Sequence, residues 1–198
     1  MVVYPIILSS GASSRMGTPK ALLDFAGLTT LQRAVKACAD AGLARPLVVI
    51  RSDLQALVDH ARDLAITTVI NPRPERGQTS SLREGLRFLP TDADGFLIYP
   101  VDYPLITGAD IRALMARFSS TDSLVVAPSF QHRRGHPVLV AAAVAAELLA
   151  LPDDGSARTV MTVHRDHTSF VQMVDDRSLV DMDTPDDYQM CLDRSQAV

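Results

Sequence analysis

The 198-residue chain has no surplus of basic residues: 19 Lys and Arg stand against 23 Asp and Glu, for a formal net charge of −4. Such a balance gives no overall positive field. DNA and RNA are therefore excluded as general partners, and any anionic ligand must be held by a local cluster of donors. Cysteine is scarce. Cys38 and Cys191 lie far apart in helix-like segments, outside any Cys-x-x-Cys or Cys/His metal spacing. That excludes a disulfide framework and points to free thiols in a reducing cytoplasm. Long apolar runs are missing too. Residues 2–8 contain a proline and follow no basic stretch, so they read as a strand and not as a signal peptide. Residues 140–151, the richest apolar stretch, are too short to span a bilayer and include Glu147, so no membrane segment is expected. Repeats, low-complexity linkers and composition breaks are also absent, and residues 1–198 read as one domain.

What is present is an apolar fraction of 47% with 21% charged residues, normal for a chain that buries a core. Short β-branched runs alternate with amphipathic windows, the pattern of an α/β domain with a mostly parallel sheet. Strands are predicted at 2–8, 47–50, 66–70, 96–101, 124–127, 137–140 and 170–174. Helices are predicted at 30–41, after Asp53 as a cap, and at 78–89, 110–118, 141–151, 157–163 and 185–192.

The most informative segment runs from Leu8 through Ser9, Ser10, Gly11, Ser13, Arg15 and Gly17 to Lys20. Small residues and two glycines let backbone N–H groups surround anionic oxygens, and Arg15 and Lys20 add charge at the same place. The loop follows the first strand, at the edge where open α/β sheets bind ligands. It lacks the Gly-Lys-Ser/Thr of a Walker A loop and the glycine spacing of a dinucleotide fingerprint. Asp102 ends an apolar strand and faces the same edge; such an acid could also merely cap a turn. Asp183 precedes Thr184-Pro185, which are placed to cap and start the last helix. That capping explains Thr184 but not Asp183. The loop Gln131-His132-Arg133-Arg134-Gly135-His136 is compact and basic, either a solvated charge run or a clamp for an anion. His164 and His167 have no third ligand nearby, so zinc is not expected there.

The 8–20 loop resembles the Leu-Ala-Ala-Gly-x-Ser-x-Arg-Met-Gly-x-x-Lys signature of the nucleotidyltransferases with a Rossmann-like fold, with Ser9 and Ser10 where alanines are usual. Further motifs follow in that family's order. They are Asn71-Pro72 with Gly77-Gln78-Thr79-Ser80-Ser81-Leu82, then Asp102-Tyr103-Pro104-Leu105 and Gly135-His136-Pro137-Val138-Leu139. Asp154-Gly155-Ser156-Ala157-Arg158 and Asp181-Met182-Asp183-Thr184-Pro185 complete the set. The Gly135–Leu139 and Asp154–Arg158 motifs are similar to the molybdopterin cytidylyltransferase branch, and the last resembles the family's closing Asp-x-Asp-Thr-Pro motif.

The resemblance implies a single-domain, Rossmann-like three-layer α/β/α fold with a mostly parallel mixed sheet. It implies transfer of a nucleoside monophosphate from an NTP to a phosphorylated acceptor such as molybdenum cofactor, with release of pyrophosphate. Arg15, Lys20 and Asp102 would be catalytic. Leu8, Ser9, Ser10, Gly11, Ser13, Arg15, Lys20, Asn71, Gly77, Ser80, Ser81 and Asp102 would hold the nucleotide, and Arg134 and His136 the acceptor. Asp102 and Asp183 would bind Mg²⁺, with Asp181 beside them. A side chain at Ser10, where the guanylyl branch has glycine, favours CTP over GTP. A molybdoenzyme or its maturation chaperone is the implied protein partner. The alternatives are a sugar- or alditol-phosphate nucleotidyltransferase and a non-catalytic nucleotide-binding module.

Overall fold

The computed structural model describes residues 1–11, 16–43 and 45–196. In chain order the elements are β1 (Val3–Ser9), β2 (Asp24–Phe25), β3 (Leu28–Thr29), α1 (Thr30–Asp40), β4 (Leu47–Arg51), α2 (Gln55–Asp63), β5 (Thr67–Asn71) and α3 (Gln78–Arg87). They continue with β6 (Gly95–Pro100), α4 (Gly108–Ser119), β7 (Val125–Phe130), β8 (Arg133–Arg134), β9 (Val138–Ala141), α5 (Ala145–Leu149), α6 (Ala157–Val163), β10 (Thr168–Gln172) and α7 (Pro185–Gln196).

The main sheet has the order β10-β7-β9-β6-β1-β4-β5, with β8 attached to β7. β1 runs parallel to β4 and β6, β4 to β5, and β10 to β7, while β9 runs antiparallel to both of its neighbours. Strand side chains alternate between two apolar layers, as the pleat requires. Ile7, Val48, Leu97 and Val126 point to the side of α1, α2 and α4, where Leu31, Cys38, Leu57 and Leu114 meet them. Ile6, Val49, Phe96 and Val125 point to the other side, against Leu82 and Leu86 of α3 and Leu148 of α5. Both faces are covered, which makes the fold a Rossmann-like three-layer α/β/α sandwich with a mostly parallel mixed sheet. Among the described residues no helix is long and apolar enough to cross a membrane.

Several local expectations are corrected. Asp53 does not cap α2: the N-cap is Leu54, without a side-chain cap, and Asp53 is taken by Arg51 at 2.5 and 2.6 Å. A bidentate guanidinium binds a carboxylate more strongly than a backbone N–H does. Residues 141–151 are not one helix, because Ala141 ends β9, a 3₁₀ turn spans Ala142–Val144, and α5 covers only Ala145–Leu149. The β2–β3 hairpin and β8 were not expected; two-residue strands carry no readable period. Both cysteines are buried and free, and burial pushes the Cys38 thiol up to about 12 and Cys191 up to about 11.

A third, smaller cluster matters for the site. Phe25, Leu105, Met182 and Cys191 are buried together, joining the β2–β3 hairpin, the turn after β6 and α7.

Candidate functional site

β1 and β6 end together. Leu8 is paired with Pro100, and Val101 N–H donates to the Leu8 carbonyl at 3.0 Å. Ser10 and Asp102, each two residues beyond that pair, therefore emerge at one edge of the sheet. On its other side β1 pairs with β4, so strand order reverses around β1, which opens a crevice at the carboxyl ends. A cleft of about 320 Å³ lies there. Leu8, Ser9, Ser10, Gly11, Lys20, Gly77, Asp102 and Asp183 all line it. Gly77 has φ +80°, which a residue with a side chain adopts only under strain, so the chain bordering the cleft at that point requires glycine. Sequence reading missed Leu54, Leu57, Pro74 and Gln78 in the lining. The first two carry the same apolar signal as any core residue. Ser13 and Arg15 lie outside the described residues.

The acidic side of the cleft is built by two segments held backbone to backbone. Met182 N–H donates to the Asp102 carbonyl at 2.9 Å, and the Met182 side chain is fully buried in the third cluster. Asp181 and Asp183 flank that buried residue. The first turn of α7 fixes Asp183 from the other side: Asp187 accepts from Asp183 N–H at 3.2 Å and from Thr184 N–H at 2.8 Å, while Thr184 caps Asp187 in return.

Lys20, from the 3₁₀ turn after the loop, reaches Asp102 at 3.2 Å and Asp183 at 2.5 Å. Burial works against the Lys20 charge, but the bonds to Asp183 and Asp102 outweigh it and raise its pKa. Burial, then Asp102 and Asp183, raise the pKa of the Asp181 carboxyl. The second oxygen of Asp102 is buried with no hydrogen-bond partner among the described residues, as is the Ser9 hydroxyl. An unmatched buried carboxylate oxygen is costly, and a cation removes that cost. Among the described residues no three His, Cys, Asp or Glu form a complete protein cage for a metal. Two carboxylates with room for phosphate oxygens and water suit a hard divalent ion such as Mg²⁺.

Asn71, Ser80 and Ser81 do not line this cleft; they brace its wall. Buried Asn71 donates to Ser80 and Ser81 at 2.9 Å each and accepts from Arg73 N–H at 2.9 Å, and Ser81 shares a hydrogen bond with Ser10. Ser10 is thereby held with its side chain buried.

His136 stands behind the cleft, its ring 5.0 Å from that of Tyr103, the neighbour of Asp102. Arg134 lies over the ring of Phe170 on β10, 4.7 Å away, and is not part of the lining. Of the basic loop only His136 approaches the acidic residues. Burial lowers the His136 pKa from 6.5 to about 4, with Asp181 opposing. The folded state thus binds fewer protons than the unfolded state between these values. Stability is fully present above pH 6.5 and falls as the pH drops towards 4, by about 3 kcal/mol from this group. Urea unfolding at pH 7 and pH 4.5 should show a smaller loss in His136→Gln than in the wild type. Equal losses would exclude this origin.

Comparison with known proteins agrees with this architecture. A phosphoenolpyruvate guanylyltransferase of Rubrobacter xylanophilus is 34% identical over 134 residues, covering 64% of this chain and 61% of that protein. The bifunctional protein GlmU of Prochlorococcus marinus is 28% identical over 121 residues, covering 60% of this chain and 27% of that protein. The matches thus span from about a quarter to three fifths of the length of these relatives. A solved nucleotidyl transferase from Methanothermobacter thermautotrophicus superposes with a TM-score of 0.83 at 20% identity, covering 99% of this chain and 98% of that one. Rv0371c of Mycobacterium tuberculosis, in a complex with manganese, superposes with a TM-score of 0.76 at 21% identity, covering 98% and 99%. At such identities the structural likeness concerns the fold. The family of MobA-like NTP transferase domains matches residues 5–168, which is most of the sequence, and the chain belongs to that family.

Proposed function

We propose that this protein is a Mg²⁺-dependent nucleotidyltransferase. It moves a nucleoside monophosphate from an NTP onto a phosphorylated small molecule and releases pyrophosphate, as one domain working in the cytoplasm. The carrying observation is the meeting of Lys20 with Asp102 and Asp183 at the end of β1, beside the glycine loop.

The acceptor's phosphate monoester has a second pKa of about 6 and is already an anion at neutral pH, so no strong base is needed to make the nucleophile. The difficulty is electrostatic, because that anion must approach a triphosphate. Lys20, with Arg15 and the loop amides, offsets the repulsion and holds charge on the departing pyrophosphate. Asp102 and Asp183 would hold Mg²⁺, which when bound supplies charge neutralisation at the phosphates. Ser9, Ser10, Gly11 and Gly77 border the nucleotide, and the half-buried Leu54 gives it an apolar surface. Of the two expected acceptor residues this reading keeps His136, through Tyr103, because Arg134 lies on Phe170 away from the cleft lining.

CTP is the favoured nucleotide. What supports this choice is the presence of Ser10, held by Ser81, at the position where the guanylyl branch has glycine. GTP is the competitor, since relatives such as the probable molybdenum cofactor guanylyltransferase of Bacillus mycoides transfer a guanylyl group by name. The same name supports a molybdopterin-type acceptor, and a molybdoenzyme or its chaperone as recipient of the product.

The test is pyrophosphate release with CTP, GTP, ATP and UTP against molybdopterin-type and sugar-phosphate acceptors. CTP with a molybdopterin-type acceptor and Mg²⁺ should be fastest. A chain that turns over only sugar phosphates removes the acceptor, and one preferring GTP removes the base assignment.

A further inference from the structure

On the far side of the Asn71–Ser81 wall is a second recess of about 240 Å³. Arg73, Arg76, Arg83 and Arg87 line it, with Asp153 at its rim and Glu84 beside Arg87. Four guanidinium groups thus face two carboxylates, an excess of positive charge in a chain whose net charge is −4.

Asp153 is paired with Arg76, with Arg83 at 3.4 Å and with Arg73 at 3.9 Å. One exposed carboxylate cannot satisfy three guanidiniums, each carrying five donors. The shortfall is visible at Arg83. Its side chain is only 16% exposed, and its Nε is buried with no acceptor among the described residues. A strap tying the 153 turn to α3 would need a single arginine. A recess with several forked donors and an unfilled one matches a multivalent oxyanion instead.

We propose that this recess is a second anion site, separate from the cleft and independent of the catalytic reading, which takes a phosphate-bearing small molecule. Asp153 is its internal stand-in, occupying the arginines until the phosphate oxygens displace it. The phosphate could arrive as free pyrophosphate or as the monoester of an organic molecule; the recognition chemistry is the same.

Calorimetric titration of the full chain with inorganic pyrophosphate and with glycerol phosphate, in EDTA to silence metal-dependent binding, tests the proposal. Asp153→Asn removes an exposed ionic competitor and should tighten pyrophosphate binding about threefold or more. Arg83→Ala and Arg76→Ala each remove a charge-assisted hydrogen bond and should weaken it by about tenfold. Tighter binding of pyrophosphate identifies the free diphosphate as the ligand, and tighter binding of glycerol phosphate identifies an organic monoester. If neither probe binds at millimolar concentration, or if Asp153→Asn fails to tighten binding, the recess is a structural strap and the proposal is overturned. The Asp153→Asn arm stands even if an arginine variant fails to fold.

Discussion

Asp102→Ala is expected to lower the rate of pyrophosphate release by on the order of a hundredfold or more, about 3 kcal/mol of transition-state stabilisation. The fold should survive the change. Asp102 has one oxygen bound by Lys20 and the other buried without a partner among the described residues, so alanine deletes that buried acceptor along with the proposed ligand. Lys20 keeps its bond to Asp183. Thermal unfolding should therefore show a midpoint equal to or above that of the wild type, while Mg²⁺ no longer tightens NTP binding. A variant in which Mg²⁺ still tightens binding would remove Asp102 from the metal site. Wild-type protein whose NTP binding ignores divalent ions would favour a non-catalytic binding module.

Gly135→Ala is expected to fail for a different reason. A Cβ at Gly135 would press on the Ser178 carbonyl oxygen and lie 2.7 Å from both its carbon and the Ser178 hydroxyl oxygen. Neither side can retreat easily. Gly135 N–H is bonded to the Pro128 carbonyl at 3.0 Å, and the Ser178 carbonyl accepts from His136 N–H at 2.9 Å. Forcing a methyl group between two fixed backbones costs about 1–3 kcal/mol or more. The segment pushed away leads into Asp181 and Asp183, so the defect should reach the cleft. Urea unfolding should report the lost stability, and titration with NTP and Mg²⁺ a weakened affinity in the fraction that remains folded. Wild-type values in both measurements would show that this close approach does not position Asp183.

The sheet was legible because its strands are buried on both faces and read as continuous apolar runs. β1, β4, β5 and β6 were each located to within a residue or so. Position along the chain was enough for the loop as well, since a small-residue segment directly after the first strand has to sit at its carboxyl end. Other features left no trace in the pattern. The Arg51 side chain claims Asp53, which is a matter of reach and not of helix propensity. Arg134 lies on an aromatic ring of the edge strand, a contact made by residues 36 positions apart. The arginine recess draws on Arg73 and Arg76 at one 3₁₀ turn, Arg83 and Arg87 of α3, and Asp153 from a distant turn; read singly they are ordinary surface charges.

By itself the sequence determined the alternating α/β order, the two apolar layers and the glycine-bearing turn, because periodicity and small residues act over a few neighbours. Tertiary structure alone decided that Lys20 meets Asp102, 82 residues away, and Asp183, 163 residues away. The reason is the winding of the sheet. Placing β4 on one side of β1 and β6 on the other brings Asp102 beside the loop. Burial of Met182 with Phe25, Leu105 and Cys191 then carries Asp183 to the same edge.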